Sequence, residues 1–337
     1  MRRHVFLALL AVAAILGGHA YAASSAQKSL EDSRKADIVL KAGHVLGAGS
    51  HFDIGLLKFA ELVKEKSGGK MVVEVYAGGV LGQERDMIEA MQLNTLDLGL
   101  VSTAPLGGFL PAMMLMDLPY LFRSNAHVYA VADGEVGQEL FKMLEKQRII
   151  GLCYMENGFR SVSSNGKVIE KPADLEGVKV RVMENEVHMT AFQRLGAIPV
   201  PMASGEVYTG LQQGTIQAAE NSICATHSNR YYEVAKELSL TQHFYGAVPL
   251  IMSKQRFDSL TPEHRQILRD AAREACKYQR GEIPRMEKEL MAVMIADGVK
   301  VHQVDPTPFQ KIFLEVYPEF EKTIPQDLVK KALETQP

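Results

Sequence analysis

Apolar residues occur first as one short block and then with helical and strand spacing. Arg2, Arg3 and His4 precede an apolar run from Val5 to Leu16, and the triplet Ala20-Tyr21-Ala22 follows. This is the order of charged, apolar and cleavage regions in a secretory signal peptide. The run is too short to span a bilayer as a stable helix. The expectation is a signal peptide over 1–22, cleaved after Ala22, then a polar disordered stretch over 23–36. An N-terminal membrane anchor is the competing reading, and the cleavage triplet counts against it. No later stretch is long and apolar enough for a span, so the mature chain is expected to be exported and not membrane-embedded.

From Ile38 the pattern becomes that of a folded chain. A strand is predicted over 38–42, and Ser50 is placed to cap a helix over 52–64, where Ile54, Leu57, Phe59, Leu62 and Val63 recur at helical spacing. Ser67-Gly68-Gly69 reads as its stop. Met71 to Tyr76 alternates as a strand, 83–93 reads as a helix and 97–102 as a short strand. This β-α-β-α-β opening predicts an α/β fold with a mostly parallel sheet. Pro105 to Pro119 reads as a buried loop rich in Gly, Pro and Met. A helix over 128–148 with a break near Gly134 precedes a strand over 149–155.

The pattern then restarts, with strands at 178–183 and 216–219 and helices at 189–195 and 206–213. A strand over 248–253 and a long helix from Pro262 to about Ala296 follow. Thr261 is its predicted N-cap, and Pro284 is expected to kink or interrupt it. A strand over 299–304 leads into a helical C-terminus. These signals divide the chain into domain one (37–157 plus 250–300), domain two (158–249) and a C-terminal strand with helices (301–337). The crossings between domains, near 156–162 and 240–250, predict a hinge beside an interdomain cleft.

Composition narrows the function classes. Hydrophobic residues make up 47% of the chain and the net charge is -3, normal for a globular protein. The absence of a basic stripe argues against nucleic acid as a partner. The three cysteines, Cys153, Cys224 and Cys276, are an odd count and sit in apolar or helical patterns, so buried free thiols are expected rather than a disulfide framework. Phosphate-loop, nucleophile-elbow, H-E-x-x-H and C-x-x-C patterns are missing from the sequence. Cys224 and His227 lack a second ligand pair. Glu184, Glu186 and His188 alternate as if on one strand face, where solvation or capping is the better account. No metal and no cofactor is expected.

Two arginines stand out. Arg160 follows Asn157-Gly158-Phe159 at the first crossing, and Arg181 sits on a short strand between Val180 and Val182. A guanidinium is a planar fork of donors that matches a carboxylate in bidentate geometry, and it is costly in an interior without a partner. Either arginine could pair with an internal acid such as Glu206 or Glu220. For Arg160 the internal and ligand readings balance; for Arg181 the ligand is favoured only on the strength of the resemblance that follows.

Several ordered motifs carry a resemblance. Asp174-Leu175-Glu176-Gly177-Val178-Lys179-Val180-Arg181-Val182 resembles DLKGLKIRV, Leu195 to Met202 resembles LGA-x-P-x-PM, Glu206 to Gly214 resembles E-(V/L)-Y-x-AL-Q-x-G, and Ala219-Glu220-Asn221 matches the end of DG-x-EN. Leu81 to Arg85 and Leu118 to Phe122 also fit. These are motifs of the DctP-type solute-binding subunits of TRAP transporters (tripartite ATP-independent periplasmic transporters), which the chain resembles from about Ile38 to its C-terminal helices. The resemblance implies a two-domain periplasmic-binding-protein fold with hinge strands and a long helix crossing both domains. It implies a periplasmic receptor that captures a small carboxylate and presents it to TRAP membrane subunits. By the same resemblance Arg181 bridges to the ligand carboxylate, Arg160 and Asn221 join it, and Glu84, Ser102, Asn185 and His44 face the cleft from loops. For His44 a structural role in its loop is the better reading.

The chain departs from the family in two places. Gln217-Ala218 replaces Asp-Gly, and the aromatic residue after Pro-Met is missing, with Ser204 near that position. A roomier, more polar pocket favours a sugar acid such as a hexuronate or aldonate over a C4-dicarboxylate or keto acid. An exported enzyme acting on a sugar acid is the rival of a different class; it would need a base or nucleophile among His188, Glu206 and Glu220. A receptor serving an ATP-driven importer or a sensor kinase is the third reading.

Overall fold

The computed structural model describes residues 31–337; the expected signal peptide and residues 23–30 lie outside them. Residues 31–35, expected to lack structure, are helical, and Asp32 pairs with Lys64. Among the described residues no helix is long and apolar enough to cross a membrane.

The first strands are β1 (Ile38–Gly43), β2 (Met71–Tyr76) and β3 (Leu98–Leu100). Helix α1 (His51–Lys66) starts where the Ser50 hydroxyl accepts from the Asp53 amide at 3.3 Å, which satisfies one of the helix's free amides. Phe52, Leu56, Phe59 and Val63 recur at helical spacing and are buried. The helix ends before Gly68 and Gly69, both at positive φ. Helix α2 (Glu84–Gln92) connects to β3. Strand β1 pairs in parallel with β2 and with β3, as the β-α-β pattern predicts. Helices α3 (Asn125–Asp133) and α4 (Glu135–Leu144) meet at Gly134, the predicted break. The loop predicted over 105–119 contains a helical turn at Thr103–Leu106 and a 3-10 segment at Pro111–Asp117.

A second parallel block comprises β5 (Lys179–Val182), β6 (Ile198–Pro201) and β7 (Ala218–Asn221), with β5 between the other two. Glu184 precedes and Glu186 and His188 lie on helix α5 (Glu186–Arg194), not on a strand; helical rotation separates residues two apart.

The two blocks are joined by β4 (Ile149–Ser164) and β8 (Glu237–Ser253), each far longer than its predicted core. These strands pair antiparallel along their length. One end of β8 carries β3, and its other end carries β9 (Lys300–Gln303). The far end of β4 carries β7. Between these attachments, Met155–Arg160 and Phe244–Val248 pair only with each other, and the ladder shifts register between Glu156 and Gly158. Helix α6 (Pro262–Ala296) packs on α1, on β4 and on a short helix of the second block, so it crosses both. Pro284 does not interrupt it. Gln279 and Ile283, just before the proline, are buried. The C-terminal segment touches both blocks. Arg194 of the second block pairs with Glu319, and His127 of the first bonds Ala332.

The cysteine expectation is corrected. Cys153 on β4 and Cys276 on α6 form a disulfide with Cα atoms 6.5 Å apart, and Cys224 is the buried free thiol. The partners are 123 residues apart, so only the packing of α6 on β4 brings them together. Replacing both with serine is expected to cost about 2–4 kcal/mol, because the bond restricts the unfolded chain. Denaturant midpoints of the variant and of the wild type, each with and without reductant, measure this; a reductant effect that persists in the variant would contradict the assignment.

Candidate functional site

The cleft lies where the two blocks face each other across the free stretch of β4 and β8. Val45, Leu46, Phe52, Glu84 and Ser102 come from the first block, Arg181, Met183, Ser204, Asn221 and Ala225 from the second, and Asn157 and Arg160 from β4 between them. The free space is about 20 Å³, room for one water molecule.

Arg181 occupies the middle of β5, which pairs on both sides, and it is 2% exposed. Its Nε and Nη2 donate to the Met202 carbonyl at 2.9 and 2.6 Å. It makes no ion pair with any described residue. Burial lowers its pKa from the usual arginine value, an effect that Tyr231, Glu220 and Glu84 oppose. Arg160 is the opposite case. Its Nε and Nη2 grip the Glu220 carboxylate at 2.5 and 2.7 Å, Nη2 also donates to the Glu220 carbonyl, and Nη1 donates to Asn221 Oδ1 at 3.0 Å. Four of the five N–H groups of a guanidinium are thus engaged. Burial alone would raise the Glu220 pKa; the Arg160 charge and its hydrogen bonds, with His243 and His188 close by at 3.7 and 3.9 Å, hold it well below the usual carboxylate range.

Asn221 Oδ1 accepts from Asn157 Nδ2, Arg160 Nη1 and its neighbour's amide, Ser222 N. Asn157 Oδ1 in turn meets His51 Nε2 at 2.9 Å and Ser222 Oγ at 2.7 Å. Gly246 permits this: a Cβ there would stand 2.8 Å from that of Asn157. Glu84 accepts from the Ser102 amide and hydroxyl at 2.6 and 2.8 Å. Burial raises its pKa, partly offset by Ser102, Arg181 and Arg160.

Five of the seven expected site residues, Arg181, Arg160, Asn221, Glu84 and Ser102, therefore line one cleft. Asn185 and His44 do not line it. Asn185 caps α5, accepting from the amides of Val187 and His188 and donating to the Ala104 carbonyl. His44 is fully buried against Asp53 at 3.2 Å. Sequence reasoning did not assign Asn157 or Phe52 to the site. Asn157, a polar residue before a glycine within an apolar strand run, offered a signal; Phe52, at a helical core position, offered none.

Behind the cleft, Glu156 is 1% exposed and accepts from the Tyr129 hydroxyl. Burial pushes its pKa up to about 7, with Glu287 adding to the rise and Tyr129, Arg280 and Tyr245 opposing it. The folded chain keeps this proton to a higher pH than the unfolded chain does. The resulting stabilisation is complete below the ordinary glutamate pKa and is lost as pH rises through about 7. Glu156→Gln is expected to gain about 1–3 kcal/mol on the wild type between pH 5 and pH 8. Denaturation curves at the two pH values that shift in parallel would contradict this.

Comparison with known proteins adds a family context. The family model described as bacterial extracellular solute-binding protein, family 7 (DctP) matches residues 42–323. The 2,3-diketo-L-gulonate-binding periplasmic protein YiaO of Escherichia coli is 35% identical over 301 residues, 88% of this chain and 92% of that protein. A TRAP periplasmic solute binding protein from Polaromonas sp. JS666, in a crystal structure bound to D-erythronate, superposes with a TM-score of 0.87 at 35% identity, over 89% of this chain and 99% of that one. Another from Sulfitobacter sp. NAS-14.1, with bound β-D-galacturonate, gives a TM-score of 0.84 at 35% identity, over 87% of this chain and 98% of that one.

Proposed function

The chain belongs to the DctP family, bacterial extracellular solute-binding protein family 7, and from that premise we propose that it captures a sugar acid, a hexuronate or an aldonate, for a TRAP transporter. The observation that carries this reading is the Arg181 guanidinium, buried at the cleft wall and, among the described residues, held only by the Met202 carbonyl. A buried charge without a counter-charge is costly, and a ligand carboxylate supplies one. Arg160 is neutralised by Glu220 and contributes one remaining donor. The Asn221 amide nitrogen, which makes no hydrogen bond with described residues, and the Glu84 carboxylate read hydroxyl groups. Ser204 stands in the wall where the family carries an aromatic residue and adds a polar contact. The sugar acids held by the Polaromonas and Sulfitobacter relatives, and the diketo-gulonate in the name of YiaO, support a hydroxylated acid.

With so little free space, the two blocks must part to admit such a ligand. The stretch at 155–160 and 244–248, where β4 and β8 lack other strand neighbours, is the proposed hinge, between domain one and domain two. Closure over the ligand excludes water and strengthens each charged contact. The disulfide and the leader-like N-terminus support a periplasmic location, and the family membership supports a receptor without catalytic activity.

A thermal-shift screen against hexuronates, aldonates, C4-dicarboxylates and small keto acids, followed by calorimetry, tests the reading. A hydroxylated monocarboxylate should give the largest rise in melting temperature and bind one per chain. Tighter binding of a dicarboxylate or keto acid would overturn the ligand class, and no response to any acid would overturn the receptor assignment. Recovery of the bound acid unchanged after long incubation separates a receptor from an enzyme.

A further inference from the structure

A cavity far roomier than the cleft lies elsewhere. It lies behind the hinge strand, between α3, α4 and α6, and holds about 650 Å³, within the range of small-molecule sites. Its floor is aromatic. Phe141 stacks on Tyr154 with ring centroids 4.1 Å apart and planes 3° from parallel, and the Cys153–Cys276 disulfide borders them.

One wall is a short cationic stripe, where the sequence reading expected none. Arg269, Arg273, Lys277 and Arg280 all line the cavity from α6, at spacings of four, four and three that place them on one helix face. Asp133 is the only acid in the lining, and Arg280 already occupies both its oxygens, at 2.6 and 2.9 Å. Among the described residues Arg273 reaches only Asp270, at 3.5 Å. Arg269 packs over Phe257 at 4.9 Å without an ion pair, and Lys277 has neither ion pair nor hydrogen bond among the described residues. This local positive excess occurs in a chain whose net charge is -3.

We propose that this cavity is a second, rear binding site for a flat aromatic carboxylate, whose ring covers the Phe141–Tyr154 floor and whose acid group meets Arg273 and Lys277. Neither half suffices alone: the floor selects an apolar face, and the stripe selects a negative charge at its edge. A sugar acid is ringed by hydroxyl groups that the apolar floor would leave without partners, so the two sites favour different ligands.

The test uses naphthalene-2-carboxylate as the probe, with the neutral naphthalene-2-carboxamide as control, titrated calorimetrically into the full mature chain. Saturable binding of one carboxylate per chain is expected, at least tenfold tighter than the carboxamide. The double variant Arg273→Glu/Lys277→Glu changes only side chains at the helix surface and is expected to weaken the probe at least tenfold while leaving sugar-acid binding intact. Arg181→Ala is expected to lose the sugar acid and keep the probe, so failure here is distinguishable from failure of the cleft assignment. Equal affinity for the carboxamide, indifference to the double variant, or loss of the probe with Arg181→Ala would each overturn the proposal. So would capture of an acidic peptide by the stripe with no binding of the probe.

Discussion

Arg181→Ala is expected to weaken binding of the captured acid by several hundred-fold or more. The guanidinium is buried and has no ion-pair partner among the described residues, so the ligand carboxylate is its proposed counter-charge. Removing one member of a buried charged pair costs about 3–5 kcal/mol, and each 1.4 kcal/mol is roughly tenfold in affinity. Arg181→Lys keeps the charge but loses the planar fork and should recover only part of the loss. Calorimetry on both variants, with circular dichroism to confirm the fold, makes the comparison. Affinity of the alanine variant within a few-fold of wild type would remove Arg181 from the site.

Glu220→Ala should produce the largest loss of stability. Glu220 is fully buried and takes two bonds from Arg160, with His188 and His243 also near it at 3.9 and 3.7 Å. Without the carboxylate, Arg160 becomes an uncompensated buried cation, at a cost of about 3–5 kcal/mol. The sign with pH follows from the lowered Glu220 pKa. Its stabilisation is present above the unfolded glutamate pKa and declines in acid as pH falls toward the folded value. A double-mutant cycle with Arg160→Met isolates the pair. The double variant should be clearly more stable than the sum of the two single losses allows, since both charges are then gone. Strict additivity would mean that the two residues do not act as a pair.

The two arginines also mark where sequence reading reached its limit. Both were visible as charges within apolar strand patterns. The pattern could not say which one the protein neutralises, because Glu220 lies 60 residues from Arg160 and nothing in the spacing distinguishes it from Glu206. Asn185 was expected at the cleft, but its amide is spent on capping α5 and on the Ala104 carbonyl. His243, which bonds Thr241 and approaches Glu220, gave no signal because it lies in the 240–250 crossing, outside every motif and ahead of the predicted strand.

What the sequence determined by itself was local. Periodicity placed β1, α1, β2, α2 and the long α6, and the ordered motifs around Arg181 identified the family. Tertiary structure alone decided how far β4 and β8 run, that Cys153 meets Cys276, which polar groups are already paired and that a basic cavity with aromatic lining lies behind β4. The physical reason is range. Alternation and helical spacing record which side of a segment is buried, a property of adjacent residues. Whether a buried charge has a partner depends on distances between segments brought together only by folding.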